Sequence, residues 1–226
     1  MPVTGRSALL FDLDGTLVDS APDMADAVDR MLQDLGRPPA GEAQVRRWVG
    51  NGARRLVTRA LTGELDGEAD GHLVDRAHAA FIGHYRAGLC VRSRLYPGVR
   101  QGLDALREAG HAMACVTNKP ESLARDLLAA LGLDEVLPVV VGGDTTPARK
   151  PDPRPLRHAL ARLGATVDQA LMVGDSRTDI AAARNAGVPV VCVPYGYNHG
   201  EDIRQAGADA VVDDIMTLHR RLTEAA

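Results

Sequence analysis

Short, nearly continuous apolar runs alternate with amphipathic stretches along most of the chain. The runs are Ala8–Phe11, Ala112–Val116, Val139–Val141, Leu171–Val173, Val190–Val193 and Ala210–Val212. Strands of this unbroken kind are expected where a parallel sheet is covered on both faces. Between the later runs, three segments carry helix punctuation. Pro120 opens a run through Leu123, Leu127, Leu128 and Leu131, with Gly132 after it; Pro153 opens one through Leu156, Leu160 and Leu163, with Gly164 after it. Thr178 precedes a run through Ile180, Ala183 and Ala186 that closes at Gly187, with Pro189 beyond. Proline in the first turn and glycine just past the end are the usual helix limits. Strand alternating with helix predicts an α/β fold with a doubly wound, Rossmann-like parallel sheet.

One interval breaks this rhythm. After the first strand the next clear one begins near residue 112, whereas a crossover needs only about a dozen residues and one helix. The interval holds helical patterns instead: Met24, Val28, Met31 and Leu35, then Leu56, Ala60 and Leu61, then Leu73, Ala77 and Phe81. The expectation is an all-helical cap domain over residues 17–92, inserted into a core made of residues 1–16 and 93–226. The insertion falls at the carboxyl end of strand one, where open α/β sheets carry their ligands, and a module placed there can act as a lid.

Composition narrows the function classes. The chain is 226 residues long, 45% hydrophobic and 25% charged, with a formal charge of -4, so it can bury a core and lacks the cationic excess of a general nucleic-acid binder. Aromatic residues make up 3% and are scattered, which gives no stacking platform for single strands. Cys90, Cys115 and Cys192 form no CxxC pair and are expected as reduced, buried thiols. No apolar run reaches membrane-spanning length, and no secretory leader is evident at the start. A cytoplasmic protein without membrane or nucleic-acid partners, monomeric or homodimeric, is expected. The positive charge is almost all arginine, and the only lysines are Lys119 and Lys150.

Four strand ends carry chemistry-bearing residues. Asp12 and Asp14, in Phe11-Asp12-Leu13-Asp14-Gly15-Thr16, fall on one side of an ending strand because strand side chains alternate. Two adjacent carboxylates can divide labour, one ionised as nucleophile or metal ligand and the other exchanging a proton. Read blandly, they are an acidic turn. Gly15 and Thr16 supply a turn whose N–H groups are candidates for an anion. Asp175 ends another strand and Asp179 follows in the next helix, so converging oxygens suited to Mg²⁺ are predicted; Asp179 can equally be a helix N-terminal acid. Thr117, with Asn118, opens a helix as an anion site or an ordinary N-cap. Lys150 lies in a proline-bounded loop, where an ammonium suits a phosphate or a carboxylate. Lys119 is read as flanking a helix start.

Taken in order, Asp12-Leu13-Asp14-Gly15-Thr16, Thr117, Lys150, and Gly174-Asp175 with Asp179 resemble the four motifs of the haloacid dehalogenase superfamily, and the resemblance spans the chain, helical insert included. Within it, Asp19-Ser20-Ala21-Pro22-Asp23, Val49-Gly50-Asn51-Gly52-Ala53-Arg54, Thr117-Asn118-Lys119-Pro120 and Tyr195-Gly196-Tyr197-Asn198 are similar to segments of phosphoglycolate phosphatases. The resemblance implies a Mg²⁺-dependent hydrolase of small phosphomonoesters, with 2-phosphoglycolate as the first substrate. Asp12 is then the nucleophile and Asp14 the acid and base. Asp12, Asp175 and the backbone carbonyl of Asp14 hold the metal, with Asp179 in or near its shell. Gly15, Thr16, Thr117, Asn118 and Lys150 bind the phosphate.

Rival chemistries are weighed on residues. A dehalogenase of this superfamily does not need a second acid, and Asp14 is present. Phosphonate cleavage through a cap lysine is excluded, because residues 17–92 contain none. A sugar phosphomutase, or a phosphatase for a sugar phosphate, nucleotide or pyrophosphate, is the nearest alternative. A receiver-like signalling module has no use for a large helical lid. Gly50-Asn51-Gly52 lacks the third glycine and preceding strand of a dinucleotide loop. It reads as a cap loop that carries Arg54 or Arg55 toward a substrate carboxylate.

Overall fold

Every residue of the first apolar run is buried, and that run becomes a central strand of the sheet. The computed structural model describes residues 5–223. Its strands are β1 (Ala8–Phe11), β2 (Val18–Asp19), β3 (Arg94–Leu95), β4 (Ala112–Val116), β5 (Val139–Val141), β6 (Ala170–Gly174), β7 (Val190–Cys192) and β8 (Ala210–Val211). Six of them form one parallel sheet in the order β5-β4-β1-β6-β7-β8, and β2 pairs antiparallel with β3. The helices are α1 (Ala21–Asp34), α2 (Glu42–Trp48), α3 (Ala53–Thr62), α4 (Gly71–Ala87), α5 (Val99–Glu108), α6 (Glu121–Ala130), α7 (Arg154–Leu163), α8 (Arg177–Ala186) and α9 (Ile215–Thr223).

The period of two in β1 sorts its side chains between two cores. Leu9 and Phe11 pack with Val99 and Leu103 of α5, Leu127 of α6 and Leu218 of α9. Ala8 and Leu10 pack with Leu156 and Leu160 of α7 and Ile180 and Ala183 of α8. The doubly wound α/β architecture expected from the sequence is therefore present. The chain winds from β1 through β4 to β5 on one side, then returns to the other side of β1 with β6. That change of direction opens a crevice at the carboxyl ends of β1, β4 and β6.

Helices α1 to α4 pack around a third apolar cluster that includes Val28, Met31, Trp48, Leu56, Val57, Ala77 and Phe81. Val49 of the α2–α3 loop belongs to it, and Leu123 and Tyr197 from outside the helical layer complete it. The helical layer is joined to the rest through the β2–β3 ribbon, in which Val18 faces Leu95 and Asp19 faces Arg94. Asp23 in the first turn of α1 is buried and fastens the returning chain. It accepts from the N–H of Arg92 at 2.7 Å, the N–H of Ser93 at 2.8 Å and Ser93 Oγ at 2.6 Å. From the far side, the buried Tyr197 hydroxyl meets the start of α1. It accepts from the N–H groups of Ser20 and Ala21, each at 3.1 Å, and donates to Asp19.

The helix limits follow the punctuation with one shift. Gly164 and Gly187 end α7 and α8 in the left-handed conformation at φ 66° and 77°. Helix α8 starts at Arg177, because Ser176 and Asp179 form a reciprocal capping box ahead of Thr178.

Candidate active site

Three of the predicted residues stand side by side because their strands do. Asp12 follows β1, and its N–H donates to the Val173 carbonyl of β6 at 2.9 Å. Thr117 follows β4, and its N–H donates to the Val141 carbonyl of β5 at 2.9 Å. Asp175 follows β6. Lys150 arrives from the loop between β5 and α7 and is buried, with Nζ 2.9 Å from Asp12 Oδ1 and 2.7 Å from Asp179 Oδ1. Burial opposes its charge, but Asp12 and then Asp179 outweigh that and raise the ammonium pKa above its ordinary range.

Asp179 is fixed by its own helix. Its Oδ2 accepts from the Ser176 N–H at 3.2 Å, Ser176 Oγ at 2.6 Å and the Asp175 N–H at 3.3 Å. With both oxygens engaged, the residue orients Lys150 and closes the α8 cap. Asp175 is held as firmly: Thr16 Oγ1 donates to Oδ1 at 2.8 Å and the Tyr197 N–H donates to Oδ2. Gly15, at φ 91°, allows this approach. A Cβ there would lie 2.2 Å from Asp175 Oδ2, and one on Gly196 would lie equally close.

The acids crowd one another. Burial raises the Asp12 carboxyl, Lys150 lowers it, and Asp179 and Asp14 raise it again, leaving it at about 7. Asp175 stands well above the carboxylate range, through burial first and then through Asp179 and Asp12. Oxygens of Asp12, Asp175 and Asp179 lie within 4.8 Å of one another. Asp12 Oδ1 is buried with no hydrogen-bond donor aligned on it. An all-carboxylate set whose members repel one another fits a hard divalent cation.

The Asp14 side chain is outside that cluster. Both of its oxygens lie 2.8 Å from Lys119 Nζ, and Oδ1 also accepts from Ser20 Oγ at 2.5 Å. Lys119 is therefore a buried site residue that the sequence reading left as a helix flank. Burial acts against its charge, and Asp14 more than restores it. The ammonium also lies 4.8 Å from the centre of the Tyr85 ring of α4.

Two other expectations are corrected. The Gly15 N–H does not face an anion, because it donates to the Val18 carbonyl at 2.9 Å; Gly15 serves by lacking a side chain. Arg54 does not reach the carboxylates. It pairs with Asp75 on the helical layer and borders an open depression of about 740 Å³ that Arg55, Arg149 and Lys150 also line. Thr16 and Asn118 are both at the site. Thr16 engages Asp175 through its hydroxyl, and Asn118 Nδ2 donates to the Lys150 carbonyl at 3.0 Å and the Gly50 carbonyl at 3.4 Å. The loop Gly50-Asn51-Gly52 thus covers the strand ends, and Asn51 Nδ2 donates to Thr178 Oγ1 at 3.1 Å. Under it lies a cavity of about 40 Å³ lined on one side by Asp12, Asp14, Thr117 and Lys119 and on the other by Met24, Leu56, Phe81 and Tyr85.

A model of the haloacid dehalogenase-like hydrolase family matches residues 7–187, a span that contains every carboxylate and lysine of this cluster. The chain belongs to that family, and the class of protein is a hydrolase. Its relatives are more particular. It is 44% identical over 218 residues to the phosphoglycolate phosphatase of Nitrosococcus oceani, covering 96% of this chain and 97% of that one. It is 48% identical over 218 residues to that of Pseudomonas putida, covering 96% and 80%. In fold it is similar to the crystal structure of a predicted phosphoglycolate phosphatase from Haemophilus somnus, with a TM-score of 0.88, 38% identity, and coverage of 96% and 97%.

Proposed function

We propose that this chain is a Mg²⁺-dependent phosphatase that hydrolyses 2-phosphoglycolate to glycolate and phosphate through an aspartyl-phosphate. The observation that carries the reading is the contrast between two carboxylates two residues apart. Asp12 Oδ1 is free of aligned donors beside Lys150, while Asp14 is drawn aside by Lys119 and Ser20. One is available to attack and the other to exchange a proton.

In the first step an Asp12 oxygen attacks phosphorus, a P–O bond forms, and the bond to the glycolate oxygen breaks. Asp14 donates a proton to the departing alkoxide. In the second step a water attacks the same phosphorus, Asp14 takes its proton, and phosphate leaves with Asp12 restored. Thr117, with Asn118 and the turn at Thr16, steadies the phosphoryl oxygens. Lys150 reduces repulsion between Asp12 and the phosphate dianion. Asp12 and Asp175, with the Asp14 carbonyl, would hold Mg²⁺, which would offset the charge of the transferring group. Asp179 keeps Lys150 in place. Residues 17–92 act as a cap over this chemistry, with the β2–β3 ribbon as the neck. The setting we infer is cytoplasmic, and the partner is a small phosphomonoester.

The test is turnover of 2-phosphoglycolate, glucose 6-phosphate, a nucleoside monophosphate and pyrophosphate, with Mg²⁺ and with chelator. Activity is expected with Mg²⁺, highest on 2-phosphoglycolate, and lowered about 10⁴-fold or more by Asp12→Asn. Full activity in Asp12→Asn overturns the mechanism, and a sugar phosphate far ahead of 2-phosphoglycolate overturns the substrate.

A further inference from the structure

A phosphorylated hydroxy acid has two anionic ends, and the groups assigned so far deal with one. The phosphoryl end has Lys150, Thr117 and the carboxylate cluster. Arg54, the cation expected from the sequence for the other end, is paired with Asp75 and does not line the cavity over Asp12 and Asp14. Two arginines near the covering loop are engaged elsewhere, and the exposed Arg149 lies outside it against Gly52. Arg59 donates to the carbonyls of Trp48 and Leu65 and to Asn51, and Arg55 to the carbonyls of Leu65 and Gly67. Among the described residues that line the cavity, Lys119 is the single cation.

The surroundings of Lys119 complete a second subsite. Its ammonium carries three donors, and the one carboxylate at hand, Asp14, takes contacts through its two oxygens. Tyr85, 2% exposed, lines the same cavity, and its buried hydroxyl has no hydrogen-bond partner. That hydroxyl lies on the same cavity as the ammonium that sits against its ring. The rest of that wall is Met24, Leu56, Phe81 and Leu123. It offers apolar surface to a methylene and no partner for the several hydroxyls of a sugar, which would be buried unpaired.

We propose that Lys119, from the loop after β4, and Tyr85, from α4, form the subsite that takes the carboxylate of the substrate. It selects short phosphorylated 2-hydroxy acids over phosphomonoesters without a second anion. This deepens the phosphatase reading and rests on it. The subsite is shared between the core and the helical layer, so it is complete only when the two are closed on each other. The carboxylate joins Asp14 on one ammonium.

The test compares kcat/KM for 2-phosphoglycolate and for ethyl phosphate, which keeps the phosphate and two carbons and lacks the carboxylate. Lys119→Met and Tyr85→Phe are each measured beside the wild-type chain with Mg²⁺. A disturbed Asp14 slows both substrates and cancels in the ratio. The ratio of 2-phosphoglycolate to ethyl phosphate is expected to fall at least tenfold in Lys119→Met and about threefold to tenfold in Tyr85→Phe. The fall is expected mainly in KM for Tyr85→Phe. A ratio within twofold of wild type in both variants overturns the subsite and leaves the phosphatase reading standing. A wild-type chain that hydrolyses ethyl phosphate but not 2-phosphoglycolate overturns the subsite and the 2-phosphoglycolate assignment together.

Discussion

The strand-end cluster and the helical layer above it are built to different standards of rigidity. In the cluster, Asp175 and Lys150 each have two short polar contacts from elements far apart in sequence, and Asp179 has one from Lys150 besides those of its own helix cap. Two glycines remove the side chains that would otherwise collide with Asp175. The covering loop is held to the strand-end side by fewer and longer contacts: Asn118 to Gly50 at 3.4 Å, Arg149 to Asn51 at 3.5 Å, and Asn51 to Thr178 at 3.1 Å. A site that must present charge to a transition state needs preorganised groups, while a cover that admits substrate needs contacts that break cheaply.

The sharpest way to break the cluster is Gly15→Ala. At φ 91° and with a Cβ 2.2 Å from Asp175 Oδ2, it is expected to cut turnover more than about 100-fold and cost about 2–4 kcal/mol of stability. Steady-state kinetics and urea unfolding read both, and near-normal values for both would show the cluster to be more yielding than its geometry.

A second measurement probes the crowding of charge. Without metal, Asp12 stands at about 7 against an ordinary 3.8, so between those values the folded chain binds more protons than the unfolded one. Stability from this group is present at acid pH and is lost as pH rises through 7. Asp175 is raised too and steepens the same slope. A divalent cation favours the ionised forms, so saturating Mg²⁺ is expected to raise the unfolding temperature by several degrees at pH 8 and by about 1 °C or less at pH 5. Equal shifts at the two pH values would contradict the assignment.

The smallest effect is expected in the cover. Asn51→Ala removes one contact to Thr178 and one from Arg59. It is expected to raise KM about threefold to tenfold and to change kcat less than about threefold. A loss as large as that of Gly15→Ala would erase the distinction between cluster and cover.

What the sequence disclosed follows the same division. The sheet strands were readable because burial on both faces leaves uninterrupted apolar runs. Asp12, Thr117 and Asp175 were readable because each follows such a run, and Lys150 because it stands in a proline-bounded loop before a helix. Helix α2 was not, since it is seven residues long and buries only Val45 and Trp48. The ribbon strands, two residues each, carry no periodicity at all. Lys119 was missed because its meaning comes from Asp14, 105 positions earlier in the chain. Arg54 was misplaced for the opposite reason: a helix face is visible in sequence, but the partner that claims it, Asp75, lies on another helix.

The β2–β3 ribbon has a consequence for how the chain reaches its fold. β1 must find β4, with Ala8 opposite Ala112, across an intervening stretch whose closure carries a high entropy cost if it is loose coil. Because the chain leaves at Val18 and returns opposite it at Leu95, prior folding of the helical insert shrinks that stretch to a short effective loop. Formation of the insert then speeds assembly of the sheet, since non-local strand pairing is what slows folding in proteins of this kind.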